Sequence, residues 1–169
     1  MNKTNNIWNI KEKDFPKTST KAEQLKFLLN YAILAPSSHN TQPWYFKIRS
    51  DAVYLYADRT RALPIADPQG RELIISCGTT LFNLRMALHH FGYAGKITTF
   101  PDFHDRDLLA CIELGYPIQQ STDENLLFQA IPKRHSNRHD YQEWDIPEST
   151  LKWLQKDATQ EGAYLHQGY

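Results

Sequence analysis

The sequence predicts an α+β domain, one complete unit followed by the opening of a second. Two observations predict it. Helical and strand-like periodicities follow the order α-β-β-α-β-β-α-α, in which strands come in pairs rather than alternating singly with helices. In addition, "STKAEQLKFLLNYAILAPSS" near Thr20 and "IPESTLKWLQKDATQEG" near Ser149 share a polar cap, leucines at matching turns and a terminal alanine before a loop. The expected organisation is an extended N-terminal arm over 1–19, a first unit over 20–131, and over 132–169 the opening segment of a second repeat that stops soon after its first helix.

Each element has a local reason. Residues 1–18 are polar and aperiodic. Thr20 and Glu23 have capping-box spacing, and Leu25, Leu28, Leu29, Ala32 and Ile33 follow a helical period that Pro36 ends. "WYFKIRS" and "VYLYAD" are aromatic and β-branched, reading as two strands joined at Ser50-Asp51. After the loop "DRTRALPIADPQG", where Asp67-Pro68 looks like a helix cap, a long helix runs from about Gln69 to His90. Leu73, Ile74, Cys77, Leu81, Leu84 and Leu88 form its apolar face, and Gly92 stops it. "KITTF" and "LLACIEL" are the next strands, and Asp123 can cap a helix through Ile131. A polar loop leads to a last helix from about Pro147 to Ala158, and the tail starts to look like a strand.

Bulk properties narrow the function. Lys plus Arg and Asp plus Glu number 19 each, so the net charge is zero and nucleic acid or an anionic membrane is not expected as partner. The N-terminal stretch is polar and no apolar run approaches membrane-spanning length, which reads as a cytoplasmic protein. Cys77 and Cys111 are too few for a disulfide framework, lack zinc spacing and sit in apolar segments, so both read as buried free thiols. His135 and His139 lack a third ligand, and no metal is expected. His89 and His90, at a helix end, suit its dipole. Ser37 and Ser38 have neither a nucleophile elbow nor a base.

Two stretches carry more chemistry than connections need. "LAPSSHNTQPWYF" (34–46) joins a helix to a strand, and "KRHSNRH" (133–139) is a basic turn before a hydrophobic-Pro pair and a helix. Taken alone, the first is compatible with an irregular connection and the second with a solvated surface loop. Together with "DPQGRELIISCGTTLFNLRMALHHFGYAGKI" they resemble the flavin-dependent nitroreductases. The loop precedes the basic turn here, an order similar to that of the two-repeat Acg-type branch, whose members fuse two such units. The likeness covers roughly residues 20 to 160, so the chain resembles an N-terminal portion of such a protein.

The resemblance implies an antiparallel sheet flanked by helices and an FMN site. Arg134 and Ser136 would bind the phosphate, and Arg138 would lie at the N1/C2 edge of the isoalloxazine. Pro36, Ser37, Ser38 and Asn40 would offer hydroxyl, amide and backbone groups from the other half of a dimer or pseudo-dimer, with Gln42, Pro43 and Trp44 anchoring the loop. The implied activity is hydride transfer from NAD(P)H to flavin and then to an electron-poor small molecule such as a nitroaromatic or quinone. The flavin itself would carry the reaction, with no catalytic side chain. A flavin-sequestering protein with little turnover and a cofactor-free remnant are the alternatives. The apolar face at Ile146, Leu151, Trp153 and Leu154 leads one to expect a homodimer.

Overall fold

The structure is a computed structural model and describes residues 9–167. It divides into two compact units, the first ending at Ser136 and the second beginning at Asn137. The first holds α1 (Lys21–Ala32), β1 (Trp44–Arg49), β2 (Ala52–Ala57), α2 (Arg71–His90), β3 (Tyr93–Thr99), β4 (Leu108–Pro117) and α3 (Thr122–Ala130). The second holds α4 (Glu148–Gln160). The sequence order of helices and strands is therefore the expected one.

The four strands form one antiparallel sheet in the order β1-β2-β4-β3. Strand alternation decides which side chains face the helices. Register aligns Trp44 with Ala57, Phe46 with Leu55 and Ile48 with Val53, and Val53 continues to Ile112 and Ile97. These residues join the core with Leu25 and Leu28 of α1 and Leu73, Cys77, Leu84 and Leu88 of α2. The opposite phase carries polar and aromatic residues. Tyr45 stacks on Tyr56 with ring centroids 4.9 Å apart, and the Lys47 ammonium lies 4.5 Å from the Tyr56 ring centre.

Cys111 corrects an expectation. It alternates with buried Ala110 and Ile112, pairs across to Tyr54 on the outward phase, and is only partly buried. An apolar run of the LLACIEL kind does not reveal which phase faces inward.

The termini of the elements follow local chemistry. The capping box forms: Thr20 Oγ1 accepts from the Glu23 amide at 3.3 Å, and the Glu23 carboxylate accepts from the Thr20 amide at 3.1 Å. At the start of α2, Gly70 takes φ +69 and buried Asp67 accepts from the Leu73 amide at 2.9 Å. The expected cap at Asp123 is displaced: α3 begins at Thr122 with Ser121 at the cap position. Of the arm, residues 1–8 lie outside the described residues. Residues 12–14 form a 3₁₀ turn, and Phe15 is buried against Phe27 and Phe91.

His90 joins three segments. Its ring lies 2.8 Å from Asn125 Oδ1 and 2.9 Å from Glu12 Oε2, and it stacks on Phe128 at 3.7 Å. His89 meets Glu124 at 2.7 Å. The beginnings of α3 and the turn at 12–14 are thus tied to the end of α2. Tyr31 sits beside them with a buried hydroxyl that has no partner among the described residues, and burial first and the Glu12 carboxylate second push its pKa up to about 12.

In the second unit, Glu148 and Lys152 pair one turn apart, and Gly162 at φ +70 closes α4. Ile146, Trp153 and Leu154 are exposed. Residues 163–167, read from sequence as strand-like, form no strand. None of the described helices is long and apolar enough to cross a membrane.

One glycine is set by a close approach. The β3–β4 register shifts between Tyr93 and Gly95, and a Cβ on Gly115 would meet the Ala94 carbonyl oxygen at 2.4 Å. Backbone cannot yield as a side-chain tip can. Gly115→Ala is expected to destabilise the fold by about 1–3 kcal/mol in urea unfolding, whereas Gly78→Ala, which meets nothing within 4 Å, should not destabilise it.

Candidate functional site

The loop between α1 and β1 is a tightly held, strained turn. His39, Asn40 and Gln42 adopt φ of +53, +56 and +48. Non-glycine residues rarely enter this region, but Asn and His are among those that do so most readily. Internal hydrogen bonds fix the curl. The Asn40 amide donates to the Ser37 carbonyl at 3.0 Å, Thr41 to Ser38 at 3.1 Å, and the Gln42 amide to Ser37 Oγ at 2.9 Å. Pro43 and Trp44 are buried and anchor the exit into β1. Much of the loop's unusual composition is thus needed to make its backbone.

The loop rests on α2. A buried helix end sheds carbonyls that need donors, and α2 supplies them. Asn83 Nδ2 donates to the Tyr31 carbonyl at 3.3 Å, and Thr80 Oγ1 to that of Ala32 at 2.7 Å. Thr79 Oγ1 reaches the Pro36 carbonyl at 2.9 Å, and Cys77 Sγ that of Pro43 at 3.2 Å. The Ser38 amide donates to Ser76 Oγ at 3.4 Å. From the other side, Arg61 Nη1 caps the carbonyls of Thr41 and Gln42 at 3.2 and 3.3 Å. The spacing of Ser76, Thr79, Thr80 and Asn83 is itself a helical stripe. Beside it runs the apolar stripe of Leu73, Cys77, Leu84 and Leu88, which the sequence shows more readily.

Among the expected cofactor-binding residues, the structure brings Arg134 to the loop. Its Nη2 donates to the Leu34 carbonyl at 3.3 Å, although 100 positions separate them, and its Nε–H is buried without a partner among the described residues. Pro36, Ser37, Ser38 and Asn40 lie together in the turn, and the side chains of Ser38 and Asn40 make no hydrogen bond among the described residues. Ser136 is exposed at the end of the first unit. Arg138 is exposed and belongs to the second unit.

The donor set fits a group rich in acceptors. Arg134 has a desolvated N–H to offer, and Ser38 and Asn40 have uncommitted hydroxyl and amide groups. FMN, with its phosphate and ring carbonyls, is such a group. No side chain here has the surroundings of a nucleophile. Burial pushes the Cys77 thiol up to about 12, against a smaller opposing effect of Arg59.

Among curated proteins, the chain is similar to several whose names describe nitroreductases. The chain is 36% identical over 146 residues to "Putative NAD(P)H nitroreductase Rv3131" of Mycobacterium tuberculosis, covering 86% of this chain and 42% of that protein. It is 31% identical over 140 residues to "Putative NAD(P)H nitroreductase acg" of the same organism, covering 81% of this chain and 42% of that protein. The chain therefore spans about two fifths of the length of these curated relatives. A crystal structure of a "Putative NADH dehydrogenase/NAD(P)H nitroreductase" from Parabacteroides distasonis aligns at TM-score 0.47 and 21% identity, over 72% of this chain and 86% of that one. No protein-family model matches.

The raised Cys77 pKa has a direct chemical consequence. Little thiolate forms at pH 8, since a raised pKa keeps the proton on below it. Mass-spectrometric mapping after iodoacetamide treatment at pH 8 is expected to find Cys77 unlabelled in the folded protein and labelled in denaturant.

Proposed function

We propose that this chain, a homologue of the Acg-type NAD(P)H nitroreductases over most of its length, supplies one lip of an FMN site in an NAD(P)H-dependent oxidoreductase. The observation that carries this reading is Arg134. A guanidinium with a buried, unpaired N–H beside a strained polar turn is costly unless an anion or acceptor completes it.

Bound FMN would supply the redox chemistry, with two electrons taken from NAD(P)H and passed to an electron-poor acceptor such as a nitroaromatic or quinone. The side chains bind and orient. Arg134 and Ser136 hold the phosphate, the guanidinium contributing a fixed positive charge. Pro36, Ser37, Ser38 and Asn40 present backbone and side-chain groups to the ring. Arg138 places a cation at its N1/C2 edge, where negative charge accumulates on reduction. The opposite wall comes from a second unit, in a fused half or a second copy, so the isolated chain holds FMN weakly. The longer relatives favour the fused arrangement.

Titration of FMN into the purified protein, followed by quenching of flavin fluorescence, tests the reading. Saturable quenching is expected, and Arg134→Ala should weaken it by about 10- to 100-fold, the worth of a charge-assisted hydrogen bond. Absence of quenching at millimolar FMN, or binding indifferent to Arg134→Ala, overturns it.

Arg138→Ala should leave affinity closer to that of the unaltered protein and lower the midpoint potential of bound flavin, measured by equilibration with redox dyes. An unchanged potential removes the assigned role.

A further inference from the structure

We propose that Thr79 and Ser76 of α2 are positioning residues that hold the Pro36 carbonyl and the Ser38 amide in place and can release both groups to a bound ligand. For the identity of that ligand the inference rests on the flavin reading.

The argument starts from donor and acceptor capacity. A threonine hydroxyl has one proton. Thr79 Oγ1 lies within bonding distance of two carbonyls, Pro36 at 2.9 Å and Ser76, one turn back in its own helix, at 2.7 Å. Giving up Pro36 therefore leaves Thr79 satisfied. Ser76 has the same property. Its hydroxyl donates to the Glu72 carbonyl at 2.7 Å and needs no second partner, while it accepts from the Ser38 amide at the long distance of 3.4 Å.

The rest of the stripe lacks this freedom. Thr80 is fully buried and its hydroxyl donates, among the described residues, to the Ala32 carbonyl alone. Asn83 is buried and donates to Tyr31. Releasing either pair would leave a buried polar group unsatisfied. The stripe therefore divides by position. Its C-terminal half locks the end of α1, and its N-terminal half holds the turn through exchangeable bonds. The exchangeable bonds fall on Pro36 and Ser38, two of the positions assigned to the cofactor.

Hydrogen exchange and ligand affinity separate the parts of the proposal. In the ligand-free protein, Thr79→Val should speed exchange of the Asn40, Thr41 and Gln42 amides by roughly three- to tenfold, the worth of one net hydrogen bond. Thr79→Ser, which keeps the hydroxyl, should restore the unaltered rates. FMN affinity should fall by a similar factor in the valine variant and recover in the serine variant. Ser76→Ala should act on the same three amides, and it provides a second test if Thr79→Val does not fold. Thermal unfolding separates this from Thr80→Val, which should lower stability without a selective effect on the turn. Turn exchange and affinity both unchanged in Thr79→Val and Ser76→Ala would overturn the proposal. Faster turn exchange in a protein that binds no FMN even when unaltered would uphold the holding role and overturn the flavin reading alone.

Discussion

The fold depends on one exchange of hydrogen bonds, between the spent carbonyls at the end of α1 and the side-chain donors along α2. The last turn of α1 is buried, with Tyr31 and Ala32 almost wholly shielded. Its carbonyls cannot turn to water. Thr80 and Asn83 meet them, and this fixes the depth and rotation at which the two helices pack. With that contact set, Leu25 and Leu28 of α1 share a core with Leu84 and Leu88 of α2 and with Val53 and Ile112 of the sheet. The loop after α1 then has a defined origin, and Pro43 and Trp44 give it a defined end.

The strain in that loop acquires meaning from its surroundings. Three non-glycine residues at positive φ each carry a conformational cost, and such conformations persist only where neighbours over-determine them. Here the neighbours are Ser37 within the turn, Thr79 and Cys77 beneath it, and Arg61 beside it. Arg134 arrives from far along the chain to the same place. This concentration of partners holds one short segment in a single conformation.

Much of this was legible in the sequence because it is encoded locally. The Thr20–Glu23 box, the paired aromatic strands and the loop with its anchoring Pro43-Trp44 are all short-range patterns. Other features have no unique local signature. Asp123 and Ser121 both suit a helix start, and backbone geometry chose Ser121. The phase of the β4 run cannot be read from an unbroken apolar stretch, so Cys111 reads as a core residue in the sequence and faces outward in the fold. The Arg134–Leu34 bond has no local signature, being a product of topology. The polar stripe of α2 was visible as a spacing, but its partners lie on another element, and only packing reveals why a helix would place hydroxyls against its neighbour.

The outward phase of the sheet bears on how the protein lives in a crowded solution. In the order β1-β2-β4-β3, the strands β1 and β3 are the edges among the described residues, and an edge strand presents backbone groups to any further strand. β1 carries exposed Lys47 and Arg49, and β3 carries exposed Lys96. The Lys47 ammonium lies over the outward face, 4.5 Å from the ring centre of Tyr56 on β2 and 5.5 Å from that of Tyr45 on β1. Another β1 arriving alongside would have to bury or crowd like charges before its backbone could bond. The flat Tyr45–Tyr56 stack is covered by the Lys47 cation, which keeps an aromatic surface on the outward face from lying bare.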